Sequence, residues 1–231
     1  KEIKSRYGLT IHALTPPEVV FIAQNSGLSI TDTLLRLKKA GLDSLPGGGA
    51  DILHDQVRQQ ISPNKINTAT WLEVMRTAHR LGIKSTATMM MGTVESLEHR
   101  LAHLREIRNL QDETRGFRAF VVWTYQPGNN GLPGAGLSSA DYLRFLALSR
   151  LYLDNIDHIH GSWFRSDERM RQETIAFGAD DLGSLVVDDN MVSFPGADYM
   201  IKLESMLDMI RKAGRTPALR DTAYEVLQVF D

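Results

Sequence analysis

The feature that most constrains this chain is an alternation. Short runs of apolar and β-branched residues are separated, along most of the sequence, by longer stretches with apolar residues at helical spacing. Parallel strands joined by crossover helices leave that pattern, and it predicts an α/β fold. The runs place strands at Leu9–Leu14, Leu42–Leu45, Lys84–Met91, Phe117–Tyr125, His158–Trp163 and Asp181–Val187. Between them Trp71, Leu72, Met75 and His79 recur at helical spacing, as do Leu97, Leu101, Leu104 and Ile107. Helix starts are signalled by Thr31-Asp32, Thr68 and Ser138-Ser139, and helix ends by Gly41, Gly82 and Gly178. The tail departs from the alternation: 197–214 and 217–230 read as two consecutive helices closing a single domain, 1–231, whose strands lie in 1–195.

Composition narrows the function classes. Of 231 residues 42% are hydrophobic, enough for a substantial core, and Lys+Arg of 26 against Asp+Glu of 28 leaves a net charge of −2. No block of like charge points to nucleic acid or to an anionic membrane. The longest apolar runs, such as Phe120-Val121-Val122-Trp123, fall far short of the roughly 20 residues of a membrane helix. The opening Lys1-Glu2-Ile3-Lys4 has no apolar signal-peptide core, which makes a cytoplasmic protein the expectation; its lack of a methionine suggests truncation. There is no cysteine, so these residues supply no disulfide, thiolate metal site or catalytic thiol.

Several groups carry potential chemistry. In Leu45-Pro46-Gly47-Gly48-Gly49-Ala50-Asp51 three glycines follow a strand, so their backbone can approach a ligand closely; a plain turn is the alternative. Neither the dinucleotide nor the phosphate-loop spacing fits. Asp51 either accepts ribose hydroxyls or caps the next helix. His12 shares a strand face with Thr10 and Leu14, facing a ligand or serving structure. Met89-Met90-Met91-Gly92 ends a strand before Glu95; the methionines read as core filler. Glu95, Glu98, His99 and His103 read as one solvated helix face, since no metal motif surrounds the histidine pair. His158 and His160 permit a metal site without implying one. Ser162-Trp163 and Asp180-Asp181 lie at strand ends, and the glycine-rich loop 127–136 follows a strand, where such folds build their sites. No serine sits in a nucleophile elbow, and Lys84, the one strand lysine, lies at the wrong end for Schiff-base chemistry.

Read in order, His12-Ala13-Leu14-Thr15-Pro16-Pro17-Glu18, Asp43 through Asp51, Trp71 through His79, Trp123-Thr124-Tyr125-Gln126-Pro127-Gly128-Asn129, Phe177 through Ser184 and Arg220-Asp221-Thr222-Ala223-Tyr224 resemble the radical S-adenosylmethionine enzymes of the futalosine route to menaquinone. The match is best to the cyclising branch, with the aminofutalosine and deazaflavin-forming enzymes as cousins. The resemblance implies a TIM-type (β/α) barrel, here partial, with about six parallel strands. It also implies S-adenosylmethionine and a [4Fe-4S] cluster held by Cys-x3-Cys-x2-Cys, a nucleoside-like small-molecule substrate and a flavodoxin or ferredoxin electron donor.

Carried over by position, Gly48, Gly49, Asp51, Gly92 and Glu95 contact the cofactor, Trp123, Gln126 and Ser162 the substrate, and His12 and Asp181 are catalytic. Asp51 stands where glutamate is usual, and Asp180 where asparagine is. The cluster cysteines would precede Lys1, so the 231 residues alone are expected to be catalytically silent. A cluster-free nucleoside-binding relic is the rival reading.

Overall fold

The computed structural model describes residues 1–127, 134, 136–161, 168–183 and 202–231. It is an α/β fold around a parallel sheet. Helices α1 (Glu2–Tyr7), α2 (Pro16–Asn25) and α3 (Ile30–Ala40) precede strand β1 (Ser44–Leu45). Helices α4 (Asp55–Ile61) and α5 (Thr68–Arg80) lead into β2 (Lys84–Met91), and α6 (Leu97–Thr114) into β3 (Phe117–Thr124). Helix α7 (Ser139–Tyr152) precedes β4 (His158–His160), and α8 (Glu168–Ala176) and α9 (Leu203–Lys212) follow it. The sheet runs β1-β2-β3-β4, every pair parallel. Single parallel bridges extend it at both edges, His12 to Ser44 and Asp181 to His160. The six extended segments therefore lie side by side in chain order, as in a barrel wall.

Several strands are shorter than the sequence predicts. Leu9–Leu14 contributes only the His12 bridge, because Leu14 takes φ +67° and ends the extended run. Leu42–Leu45 is reduced to β1, and β3 stops one residue before Tyr125. Of His158–Trp163 the described part is β4, and of Asp181–Val187 it is the Asp181 bridge; Ser162 and most of loop 127–136 lie outside the described residues.

The larger correction concerns the tail. The first tail helix is α9, but 217–230 is an antiparallel hairpin, β5 (Ala218–Arg220) with β6 (Val226–Val229). Its turn is fixed by the Asp221 carboxylate, which accepts from the N–H groups of Ala223 (2.7 Å) and Glu225 (2.9 Å), with Tyr224 at φ +71°. A side chain that bonds its own turn competes directly with helix.

Alternation along β2 separates the two faces of the sheet. Ser85, Ala87, Met89 and Met91 are buried against helices, where Trp71, Val74, Met75 and Ala78 of α5 and Leu104 and Ile107 of α6 complete one continuous core. Each large side chain fully buried there contributes roughly 1.5–3 kcal/mol. Phe120, Val122 and Ile159 continue that face across β3 and β4. The opposite face, turned away from the helices, carries Thr86, Thr88 and Met90, then Ala119, Val121 and Trp123, then His158 and His160. The C-terminal hairpin lies against part of it: Arg118 donates to the Thr222 carbonyl (3.3 Å), and the Tyr224 ring stacks on His158 at 4.3 Å.

Candidate functional site

The loops following β1, β2 and β3 meet at the C-terminal end of the sheet. Gly47 lies across β2: its N–H donates to Thr86 Oγ1 (3.1 Å) and its carbonyl accepts from Thr88 Oγ1 (2.6 Å). A Cβ there would stand 2.7 Å from the Thr86 carbonyl and 2.8 Å from the Thr88 nitrogen, so only glycine permits this approach. The Gly48 carbonyl takes the Trp71 indole N–H (3.3 Å), and the Gly49 carbonyl takes Arg58 Nη2 (3.1 Å). Arg58 also donates to the carbonyls of Ala50 and Ile66. Side chains at Gly48 and Gly49 would collide with Thr15 and Pro17, 2.6 and 2.5 Å away. The requirement for three glycines is thus met by packing. The Gly48 and Gly49 carbonyls are engaged from the helix side, while among the described residues no protein acceptor is bonded to the N–H groups of the same two glycines.

Asp51, at φ +46°, accepts the Met90 N–H at its carbonyl (2.9 Å), and its carboxylate is paired with Lys65 Nζ at 2.8 Å. The capping alternative does not describe it: it precedes α4 by several residues and caps nothing there, since His54 is the N-cap.

Glu95 is not on a helix face. It sits before the Ser96 N-cap of α6, its side chain fully buried, and its carboxylate gathers the N–H groups of Gly92 (2.7 Å) and Thr93 (2.8 Å), the Thr93 hydroxyl (2.6 Å) and the Arg100 guanidinium (2.7 Å). Burial pushes the carboxyl up, but the Gly92 N–H, the Thr93 hydroxyl and Arg100 together hold it below its ordinary value. Every lone pair is occupied, so Glu95 shapes the turn after β2. Gly92, at φ +100°, lies against the Gly136 backbone, 2.9 Å from where a Cβ would be, and its carbonyl accepts the Gly136 N–H (3.2 Å). Gln126 Nε2 turns back onto Thr124 Oγ1 (2.9 Å). Trp123 stands on the helix-free face, partly exposed.

Of the solvated face expected for Glu95, Glu98, His99 and His103, Glu98 is exposed and His99 half-exposed, but Glu95 and His103 are buried. His99 completes a capping box with Ser96, and its ring packs tilted at 45° against that of His54, centroids 4.3 Å apart. His103 is wholly buried beneath Phe120 and accepts the Leu53 N–H (2.9 Å), its pKa pushed down to about 3 by burial and by Arg58. Histidine's ambivalence in hydrophobicity hid this from the sequence.

His12 and Asp181 lie elsewhere on the sheet. The His12–Ser44–Lys84 rung is at the opening of β2, about 26 Å along the strand from Gly92. His12 Nδ1 bonds Ser44 Oγ at 2.7 Å, and burial, then Arg118 and Arg220, lower its pKa. Asp181 shares a rung with His160, Val121 and Thr88. Its carboxylate accepts from Arg220 (2.5 Å), from Tyr224 and from the Gly183 N–H (2.6 Å). Burial raises the Asp181 pKa, but His160 and Arg220 more than offset it and keep the group ionised. Arg220, Tyr224, His158 and His160 complete this second cluster; in the sequence the two histidines stand out only as a pair that permits a metal site, and Arg220 and Tyr224 only as letters of a tail motif. The structure therefore gathers Gly48, Gly49, Asp51, Gly92, Glu95 and Gln126 at one end of the sheet, and sets Asp181 and His12 apart from them.

Among the described residues no group of His, Cys, Asp or Glu is placed to hold a metal ion, and no helix is long and apolar enough to cross a membrane. With no cysteine in the chain, its residues do not fit an iron–sulfur cluster.

Comparison with known proteins agrees with this architecture. Residues 2–107 match the profile of the radical SAM superfamily, and residues 114–231 that of the CofH/MqnC C-terminal region. A cyclic dehypoxanthine futalosine synthase from Streptomyces coelicolor is 46% identical over 224 residues, 96% of this chain and 56% of the relative; one from Halalkalibacterium halodurans is 39% identical over 233 residues, covering 100% of this chain and 63% of the relative. A 5-amino-6-(D-ribitylamino)uracil–L-tyrosine 4-hydroxyphenyl transferase from Archaeoglobus fulgidus is 40% identical over 222 residues, 94% of this chain and 65% of the relative. The chain thus spans between about half and two thirds of the length of these relatives. In structure it resembles the hydrogenase maturase HydG from Carboxydothermus hydrogenoformans (TM-score 0.64, 16% identity, 84% of this chain and 47% of that one) and methylornithine synthase PylB (TM-score 0.62, 16% identity, 88% and 63%). Those likenesses establish the barrel fold, radical SAM enzymes as a family use S-adenosylmethionine with a [4Fe-4S] cluster, and the chain belongs to the CofH/MqnC family of radical SAM enzymes.

Proposed function

We propose that this chain forms the greater part of the substrate-binding barrel of a synthase that cyclises dehypoxanthine futalosine on the route to menaquinone. The observation that carries the reading is the 46% identity to a cyclic dehypoxanthine futalosine synthase across 96% of the chain, exceeding the 40% to the uracil–tyrosine transferase. In this reading the Gly48 and Gly49 amides and Asp51 border the S-adenosylmethionine site, and Glu95 holds the Gly92 turn beside it. Trp123, Gln126 and Ser162 face the nucleoside, and Asp181 and His12 are the candidate proton-handling groups. The 231 residues contain no cluster ligand, so what the chain itself contributes is binding, orientation and exclusion of water. The electron donor is of the flavodoxin or ferredoxin type, and the protein acts in the cytoplasm.

A second reading, a nucleoside-binding protein without catalysis, is favoured by the absence of cysteine alone. Calorimetric titration with dehypoxanthine futalosine and, separately, with 5-amino-6-(D-ribitylamino)uracil tests the substrate class. Saturable binding of the first with none of the second is expected. The reverse order would assign the chain to the transferase branch, and binding of neither would remove the nucleoside reading altogether.

A further inference from the structure

His160 carries one of the buried polar atoms left without a partner among the described residues, and it lies on the helix-free face of the sheet. It ends β4, and because Ile159 beside it packs into the helix-side core, His160 faces the opposite side of the sheet together with Val121. It is 8% exposed. Its Nδ1 is buried with no hydrogen-bond partner among the described residues, while Nε2 lies 3.9 Å from Asp181 Oδ1. A buried imidazole nitrogen left unpaired costs about 1–3 kcal/mol unless something else bonds it.

The surroundings of Asp181 explain why the ring stays in that position. Arg220 and Tyr224 reach it from the C-terminal hairpin, the Gly183 N–H binds it, and the Arg220 guanidinium lies 3.9 Å over the Tyr224 ring, which itself stacks on His158. The hairpin otherwise has little hold on the sheet: β6 is exposed along its whole length, with Val226, Leu227 and Val229 all open to solvent. Its buried contacts are concentrated on the carboxylate beside His160. An element anchored chiefly through one polar cluster places that cluster, and the face it borders is the one not covered by helices.

We propose that His160 Nδ1 is the hydrogen-bonding contact this face offers to a bound nucleoside-like ligand, and that Asp181, Arg220 and Tyr224 act as positioning residues for it. The proposal rests on the reading of a nucleoside-binding barrel given above. The ligand group it predicts is a sugar hydroxyl or ring nitrogen, since a neutral imidazole serves as donor or acceptor according to tautomer.

The test uses the purified protein, dehypoxanthine futalosine as probe, and imidazole nitrogen NMR. Asparagine places a polar atom near the Nδ1 position and glutamine near Nε2, so H160N retains affinity while H160Q and H160A lose about tenfold, the worth of one hydrogen bond. Equal binding by all three variants overturns the contact. If H160A fails to fold, the comparison of H160N with H160Q still decides. Independently of any ligand, Y224F and R220K shift the His160 nitrogen signals if the hairpin positions the ring; unchanged signals in both overturn the positioning role. If the unsubstituted protein binds no probe, the functional reading and the contact fall together, while the NMR comparison still judges the scaffold.

Discussion

Arg100 reaches back one turn of α6 to Glu95, Nη2 to Oε1 2.7 Å, and so joins a helix to the loop that follows β2. The carboxylate at the centre of that contact is wholly buried, and its other oxygen holds Thr93. The turn at Gly92 is therefore fixed by a charge that cannot be hydrated if its partners leave.

Glu95→Gln tests that arrangement. The amide keeps the shape but brings an NH2 group against N–H donors and leaves Arg100 poorly paired, so a loss of about 2–3 kcal/mol is expected. Chemical denaturation measures it, and a change below about 0.5 kcal/mol, the scale of an ordinary surface substitution, would show that the turn does not depend on the charge.

Glycines in the same chain should differ sharply in tolerance. Gly47→Ala puts a methyl 2.7–2.9 Å from the backbone of β2, which cannot move without breaking the sheet, and an overpacking cost of about 1–3 kcal/mol or more is expected. Gly27, at φ +61° with nothing within 4 Å, carries only left-handed backbone strain, about 1–2 kcal/mol. The two variants measured side by side, with amide exchange in β2, separate steric from conformational cost: faster exchange belongs to Gly47→Ala alone.

Two buried histidines set an acid limit on stability. His79 is bonded on both nitrogens, to Thr114 and Ser85 at 2.7 Å, and burial, with Lys84, lowers its pKa to about 4; that of His103 falls to about 3. Above about pH 6.5 both are neutral whether folded or not, and stability does not depend on them. Below it the unfolded chain takes up the protons first, so stability falls as pH drops towards 4, by about 2 kcal/mol per histidine at pH 5. Glu95, with a depressed pKa, adds its loss only below its ordinary range. Urea midpoints at pH 7 and pH 5 check the sign. A midpoint that does not fall would mean these rings are not buried neutral.

Much of this was legible from the residues because local and tertiary preferences coincided. In β2 the alternation Ala87, Met89, Met91 against Thr86, Thr88, Met90 is the buried pattern itself, and the strand has the bounds the sequence predicts. Capping at Ser138 and the glycine ends at Gly41 and Gly82 likewise appear where expected. The failures have a common cause, a side chain bonding backbone far from where its own segment's pattern points. Asp221 closes a turn inside an apparent helix, His103 enters the core to satisfy Leu53, and Glu95 serves Gly92 instead of solvent. Periodicity cannot report such bonds. The Asp181 cluster was half legible: the carboxylate stood at a strand end, but Arg220 and Tyr224 come from the misread tail.

Arg58 offers the last prediction. Its guanidinium, 2% exposed, donates Nε to the Ile66 carbonyl (3.1 Å), Nη1 to the Ala50 and Ile52 carbonyls, and Nη2 to Gly49 (3.1 Å). One planar fork thus closes both the glycine turn and the approach to α5. Lysine keeps the charge but supplies a single ammonium on a longer-range contact, too compact to reach carbonyls on two separate segments. Arg58→Lys should cost about 2–4 kcal/mol and loosen the turn, since buried carbonyls are left without donors. Hydrogen exchange of the Gly47–Asp51 amides reads the second effect directly. Stability lost without faster exchange there would place the role of Arg58 in α4 packing, and unchanged stability would mean that water replaces the fork at no cost.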